Sequence, residues 1–112
     1  MWIQFNDSFF SIVEDTTSHN ERLLVRARRS GDIEVLLESG VVVGPRVAID
    51  RTPERDYLFR VSMPKADVAD LIAARIKTIS YPNFKASLKD GRLLDPYYGA
   101  YHELAKADDR QA

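Results

Sequence analysis

The chain has 112 residues, of which 45% are hydrophobic and 29% charged, the size and composition of one ordinary globular domain. Its net charge of −1 balances sixteen Lys and Arg against seventeen Asp and Glu, so bulk electrostatics steer it toward neither nucleic acid nor an anionic membrane. It has no cysteine, which excludes a disulfide framework, a cysteine-ligated zinc or iron–sulfur centre and a thiol nucleophile, and fits a reducing cytoplasm.

A core can form at this length without metals or disulfides. Apolar runs such as Val41-Val42-Val43 fall far short of the roughly 18 residues that a membrane span needs. The opening Met1-Trp2-Ile3-Gln4-Phe5 lacks a basic stretch followed by an apolar core, so it reads as a strand rather than a secretory signal, and the expected location is cytoplasmic.

Residues 1–5 and 9–15 read as two strands joined by a turn at Asn6-Asp7-Ser8, since Asn and Asp tolerate positive φ. Phe10 and Ile12 share one face of the second strand, and Phe9, Ser11 and Val13 the other. A polar loop over 16–21 follows. In strand 23–29, Leu23, Val25 and Ala27 alternate with Leu24, Arg26 and Arg28. Asp32 is placed to cap a short helix carrying Ile33, Leu36 and Leu37, with Gly40 at its stop.

Residues 41–56 read as a partly ordered excursion: Val41-Val42-Val43 suits a short strand, but Gly44-Pro45 and Pro53 interrupt it. Strand 57–63 then turns Tyr57, Phe59, Val61 and Met63 inward. Pro64 fits the first position of a helix to about Ile79, with an apolar stripe of Val68, Leu71, Ile72, Ile76 and Ile79. A short helix starts at Pro82, presents Phe84 and Leu88 to the core and stops at Gly91. Asp95-Pro96 opens a last helix with Tyr97, Tyr101, Leu104 and Ala105 along one side, and the tail after about 107 is expected to fray. Strands early and helices late predict a single α+β domain over 1–112. Its antiparallel sheet of three to five strands packs against helices from the C-terminal half.

Groups suited to catalysis are sparse. His19 lies in the polar loop, and the i and i+4 neighbours of His102 are Tyr98 and Lys106, which are not metal ligands. No phosphate loop, nucleophile elbow or zinc-protease motif occurs. No metal or cofactor is expected, and the balance leans away from an enzyme.

The stronger signal lies on the sheet. With strands 23–29 and 57–63 adjacent, Arg26, Arg28 and Arg60 share the face opposite the apolar one, near Leu24, Leu58 and an aromatic from Phe9 or Phe10. Arginine beside aromatic rings can fork a carboxylate or phosphate and stack on a ring, which suits an acidic protein surface or a single-stranded nucleic acid. Two plainer readings compete: pairing of these arginines with acids such as Glu14, or cover by the C-terminal helices with arginine stems beneath tyrosine rings. Of the aromatic group Tyr81, Phe84, Tyr97, Tyr98 and Tyr101, most belong to the core at helical spacing. Tyr98, offset from the Tyr97/Tyr101 stripe, is expected to be exposed.

The segments Met1-Trp2-Ile3-Gln4-Phe5, Phe9-Phe10-Ser11-Ile12-Val13, Leu24-Val25-Arg26-Ala27-Arg28 and Ile79-Ser80-Tyr81-Pro82-Asn83-Phe84-Lys85 together resemble a family of small uncharacterised bacterial proteins. The resemblance spans about residues 1–105, with Tyr81-Pro82-Asn83-Phe84-Lys85 its most distinctive piece. It implies an aromatic-rich helix after that motif, and it draws Arg26, Arg28, Asn83 and Lys85 forward as a polar cluster without implying an activity.

These residues favour a non-enzymatic binding protein for a protein partner, of adaptor, immunity or phage-inhibitor type, with no membrane role. A nucleic-acid binder on the Arg26/Arg28/Arg60 face is the alternative. An unrecognised enzyme or ligand site around Arg26, Arg28, Asn83, Lys85 and His102 is the third reading.

Overall fold

Period-two alternation turns Phe10 and Ile12, Val25 and Ala27, and Val61 and Met63 to one side of three adjacent strands, and that side is buried. The computed structural model describes residues 1–18, 21–40 and 48–111. The sheet holds β1 (Trp2–Gln4), β2 (Phe9–Glu14), β3 (Arg22–Ala27), β4 (Asp50–Arg51) and β5 (Phe59–Pro64). All pairings are antiparallel, in the order β1-β2-β3-β5-β4. Helices α1 (Ser30–Leu37) and α2 (Lys65–Lys77) cover the apolar side through Ile33, Leu36, Val68 and Leu71, all at most 1% exposed. This is the expected α+β arrangement of an N-terminal antiparallel sheet and mostly C-terminal helices.

The hairpin forms where expected, with the Phe5 amide donating to the Ser8 carbonyl at 2.8 Å. His19 and the Val41-Val42-Val43 strand lie outside the described residues.

Several boundaries differ from the sequence reading, each for a local reason. Asp32 does not cap α1; it sits in the first turn, where its carboxylate accepts from the Phe9 amide at 3.2 Å and from Arg29. Pro64 ends β5 and flanks α2 instead of opening it. The stripe of α2 is buried only at Val68 and Leu71, with Ile72 partly so, while Ile76 and Ile79 are half exposed. Beside that last turn, Arg75 lies 4.6 Å over the Phe5 ring and bonds Asp7 and Asn6.

The C-terminal third departs most. Only a 3-10 turn, Lys85–Ser87, follows Pro82. Gly91 does not stop a helix but begins α3 (Gly91–Ala105), capped by Asp90, whose side chain accepts from the Arg92 amide at 3.0 Å. Pro96 therefore stands inside α3, where it lacks the N–H that would reach the Arg92 carbonyl. Leu93 and Tyr97 are the buried residues of α3, while Tyr101 is 54% and Leu104 72% exposed, so of the expected stripe of Tyr97, Tyr101, Leu104 and Ala105 only Tyr97 is buried. The far half of α3 projects from the body. Accordingly the radius of gyration is 15.3 Å, against about 13 Å for a compact domain of this length. The tail closes in a second 3-10 turn, Asp109–Gln111.

Leu36→Ala, at the centre of the core, is expected to cost about 2–5 kcal/mol in urea unfolding. Leu104→Ala on the projecting end should change stability by less than about 0.5 kcal/mol. Equal losses would contradict this division of α3.

Candidate functional site

Strand register lays out the sheet face that α1 and α2 leave uncovered. Trp2 pairs with Ser11, Ser11 with Arg26, Arg26 with Arg60 and Arg60 with Asp50, so these five residues form one row across the sheet. Like charges directly opposite repel, so Arg26 and Arg60 need separate partners. Arg60 takes the Asp56 carboxylate at 3.0 Å and the Thr52 hydroxyl at 3.1 Å. Arg26 donates from Nη2 to the buried Ser11 hydroxyl at 2.6 Å, while its buried Nε finds no acceptor among the described residues.

The residue that organises this face is Tyr57. It was expected to point inward with Phe59, but β5 starts only at Phe59, so the strand's alternation does not extend to it. The Thr52 hydroxyl bonds the Tyr57 carbonyl at 2.8 Å and the Asp56 carboxylate accepts from its amide. Its ring lies on the arginine side, with the Arg26 and Arg28 guanidinium carbons 4.8 and 4.7 Å from the ring centroid. The ring is only 5% exposed. Among the described residues neither Arg26 nor Arg28 reaches a carboxylate, so the expected pairing with acids such as Glu14 does not form. Their aromatic cover comes from Tyr57 rather than from tyrosines of the C-terminal helices. The exposed Arg28 donates to the Asp56 carbonyl at 3.2 Å.

Beside this face α3 raises a wall. Trp2, Phe9, Arg28 and Tyr57 on one side and Leu93, Pro96, Tyr97 and Ala100 on the other enclose a cleft of about 380 Å³. Trp2 meets Phe9 edge to face at 5.7 Å and stays 72% exposed. The wall is held by a polar junction. Arg29 bonds Asp32, Asp90 and the Asp7 carbonyl, and the Tyr97 hydroxyl donates to the Ser8 carbonyl at 2.6 Å. Burial first, and the Asp32 charge second, raise the Tyr97 phenol above its ordinary range. Asp90 is held down to about 2, first by the Arg92 amide and then by Arg29 and Arg92.

At the far end of the open face the Asp15 carboxylate accepts from the Ser62 hydroxyl at 2.6 Å. That bond, followed by those from Thr17, lowers its pKa. The positive stretch is therefore flanked by acids: Asp15 at one end, Asp50 and Asp56 at the β4 side.

The remaining candidates gather elsewhere. The Lys85 ammonium lies 3.9 Å from the Tyr101 ring centroid and 5.0 Å from that of Tyr98, and the His102 ring stacks on Tyr98. Tyr98 is exposed, as its offset position implied. The Asn83 side chain accepts from the Ala86 amide of the 3-10 turn at 3.0 Å. Asn83 and Lys85 line a second cleft with Gln4, Phe84, Tyr97 and Tyr101, and His102 lines neither cleft. The polar cluster implied by the family resemblance thus falls into two places, Arg26 and Arg28 on the sheet, Asn83 and Lys85 beneath α3. No group of three His, Asp or Glu able to hold a metal stands among the described residues.

Sequence reasoning missed Trp2, Tyr57 and the α3 wall residues Leu93 and Pro96. Trp2 carried a usable signal, as a large aromatic on the same face as Ser11; Tyr57 did not.

The chain matches no protein-family model, no curated protein and no solved structure.

Two measurements test it. A double-mutant cycle of Tyr57→Leu with Arg28→Ala should give a coupling of about 0.5–1 kcal/mol in urea unfolding, the value of a partly exposed cation–π pair; zero coupling would reject the stack. Asp90 has a folded-state pKa below its ordinary value. Its contribution is therefore full above about pH 4 and is lost as pH falls toward 2. Asp90→Asn should melt below wild type at neutral pH, and the gap should close across that window.

Proposed function

We propose that this is a non-catalytic binding module, of adaptor, immunity or inhibitor type, that docks a protein partner on its arginine-bearing sheet face and the adjoining α3 cleft. The observation that carries this reading is Arg28, an exposed guanidinium held against Tyr57 beside the exposed Trp2, without a carboxylate of its own among the described residues. Trp, Tyr and Arg dominate the energetic centres of protein interfaces, because each buries a large stiff surface and keeps a polar or charged group to pair.

The same face resembles a stacking platform for single-stranded nucleic acid, with Trp2 and Phe9 as its rings. A strand-binding groove tracks several phosphates with continuous positive charge. Here Asp15, Asp50 and Asp56 border the arginines, and a phosphate backbone leaving the row would meet them. A protein surface with a local acidic group fits the row without that repulsion. An enzyme reading that unites Arg26 and Arg28 with Asn83, Lys85 and His102 is weakened because, among the described residues, Arg28 lines one cleft and Asn83 and Lys85 another.

Affinity capture with the tagged chain should retain a partner that is lost at least tenfold in Trp2→Ala/Arg28→Glu, with the fold verified by circular dichroism. Loss through Tyr98→Ala with the double variant still binding would move docking to the tyrosine edge and overturn this placement. Oligonucleotide retention that falls steeply with salt and with Arg26→Ala/Arg28→Ala would replace the reading with the nucleic-acid one.

A further inference from the structure

The cleft combines two features that one residue of a partner cannot satisfy unless they occur side by side. Its floor and wall are apolar at Trp2, Phe9, Leu93 and Pro96, and one rim carries the Arg28 guanidinium. The other charged groups there are already engaged. Arg29 is held by Asp32 and Asp90, Arg92 leans on Asp90, and Asp32, 4% exposed, also accepts from the Phe9 amide. Arg28 is the lining cation that reaches no carboxylate among the described residues, and one of its nitrogens donates to the Asp56 carbonyl. The Tyr57 ring, 4.7 Å from the guanidinium carbon, and the Asp56 carbonyl hold the Arg28 head at the rim, which lowers the ordering cost of receiving a carboxylate.

Resting on the binding-module reading, we propose that the cleft recognises a partner segment in which a large apolar or aromatic side chain stands next to a carboxylate. The side chain seats between Trp2, Phe9, Leu93 and Pro96, and the carboxylate is forked by Arg28. A volume of about 380 Å³ admits one such side chain and not a long stretch of peptide, so the contact acts as an anchor within a larger interface. Charge complementarity selects the acid: an amide in its place would leave the guanidinium desolvated with neutral partners only.

Trp2 is the sole tryptophan of the chain and lines the cleft, so its emission reports occupancy directly. The probes are three blocked dipeptides: acetyl-Phe-Asp-amide, acetyl-Phe-Asn-amide and acetyl-Ala-Asp-amide. Saturable change of Trp2 emission is expected with Phe-Asp, and at least tenfold weaker binding with the other two. In Arg28→Gln, an exposed position whose loss leaves the core intact, Phe-Asp should weaken to the level of Phe-Asn. Equal binding of Phe-Asp and Phe-Asn, or no saturable change with any probe, overturns the proposal. If a captured protein nonetheless depends on Trp2 and Arg28, the ring-plus-acid chemistry fails while the binding-module reading stands. Discrimination among the dipeptides without any protein captured in a Trp2- and Arg28-dependent way overturns both, because the occupant is then a free small acid.

Discussion

Everything distinctive in this molecule depends on how α3 is fastened, and that is the work of Arg29. The helix buries only Leu93 and Tyr97, too little apolar surface to fix its orientation alone. Arg29, just past the end of β3, spreads its guanidinium over Asp32 of α1, the Asp90 cap of α3 and the Asp7 carbonyl in the hairpin turn. Tyr97 closes the same corner from the helix side through the Ser8 carbonyl. One cation thereby ties the sheet, the first helix, the hairpin and the last helix. Removing either partner would strand the other at a partly buried position, which is costly.

The cleft is a by-product of that fastening. Holding α3 at the hairpin end leaves its Pro96 and Ala100 side facing the open sheet, across from Trp2 and Arg28. Tyr57 then converts two arginines into fixed features. A guanidinium in solvent is mobile and well hydrated, whereas one laid on an aromatic ring keeps its charge and loses its freedom. The neighbouring arginine in the row, Arg60, is paired with Asp56, whereas Arg26 and Arg28 reach no carboxylate among the described residues, so the pattern is a short local cation site rather than a diffuse basic patch. Such a pattern favours a local acidic feature over a long polyanion.

Much of the sheet was legible from alternation alone. Phe10 with Ile12, Leu23 with Val25 and Ala27, and Phe59 with Val61 and Met63 each fall on the side their spacing implies. The helical half was read less well. Helical periodicity reports that a residue could share a face, but not whether anything lies opposite that face. Ile76, Tyr101 and Leu104 fit an apolar stripe as well as Leu71 does, yet they stay exposed. Asp95-Pro96 carries a strong start signal, yet Asp90-Gly91-Arg92 captures the helix five residues earlier. The Arg29 contact to Asp90, invisible in local sequence, supports that choice.

The sequence by itself determined the α+β class, the inward residues of the central strands and the placement of Arg26 and Arg60 on the opposite face. These follow from backbone geometry, which repeats every two residues in a strand whatever lies elsewhere. Only the tertiary structure decided what those arginines meet. Tyr57 stands outside the strand's alternation, Trp2 joins the row through register, and the α3 wall comes from residues more than eighty positions away from Trp2. Contacts between distant segments are set by packing and charge pairing after the elements form, and no local pattern encodes them.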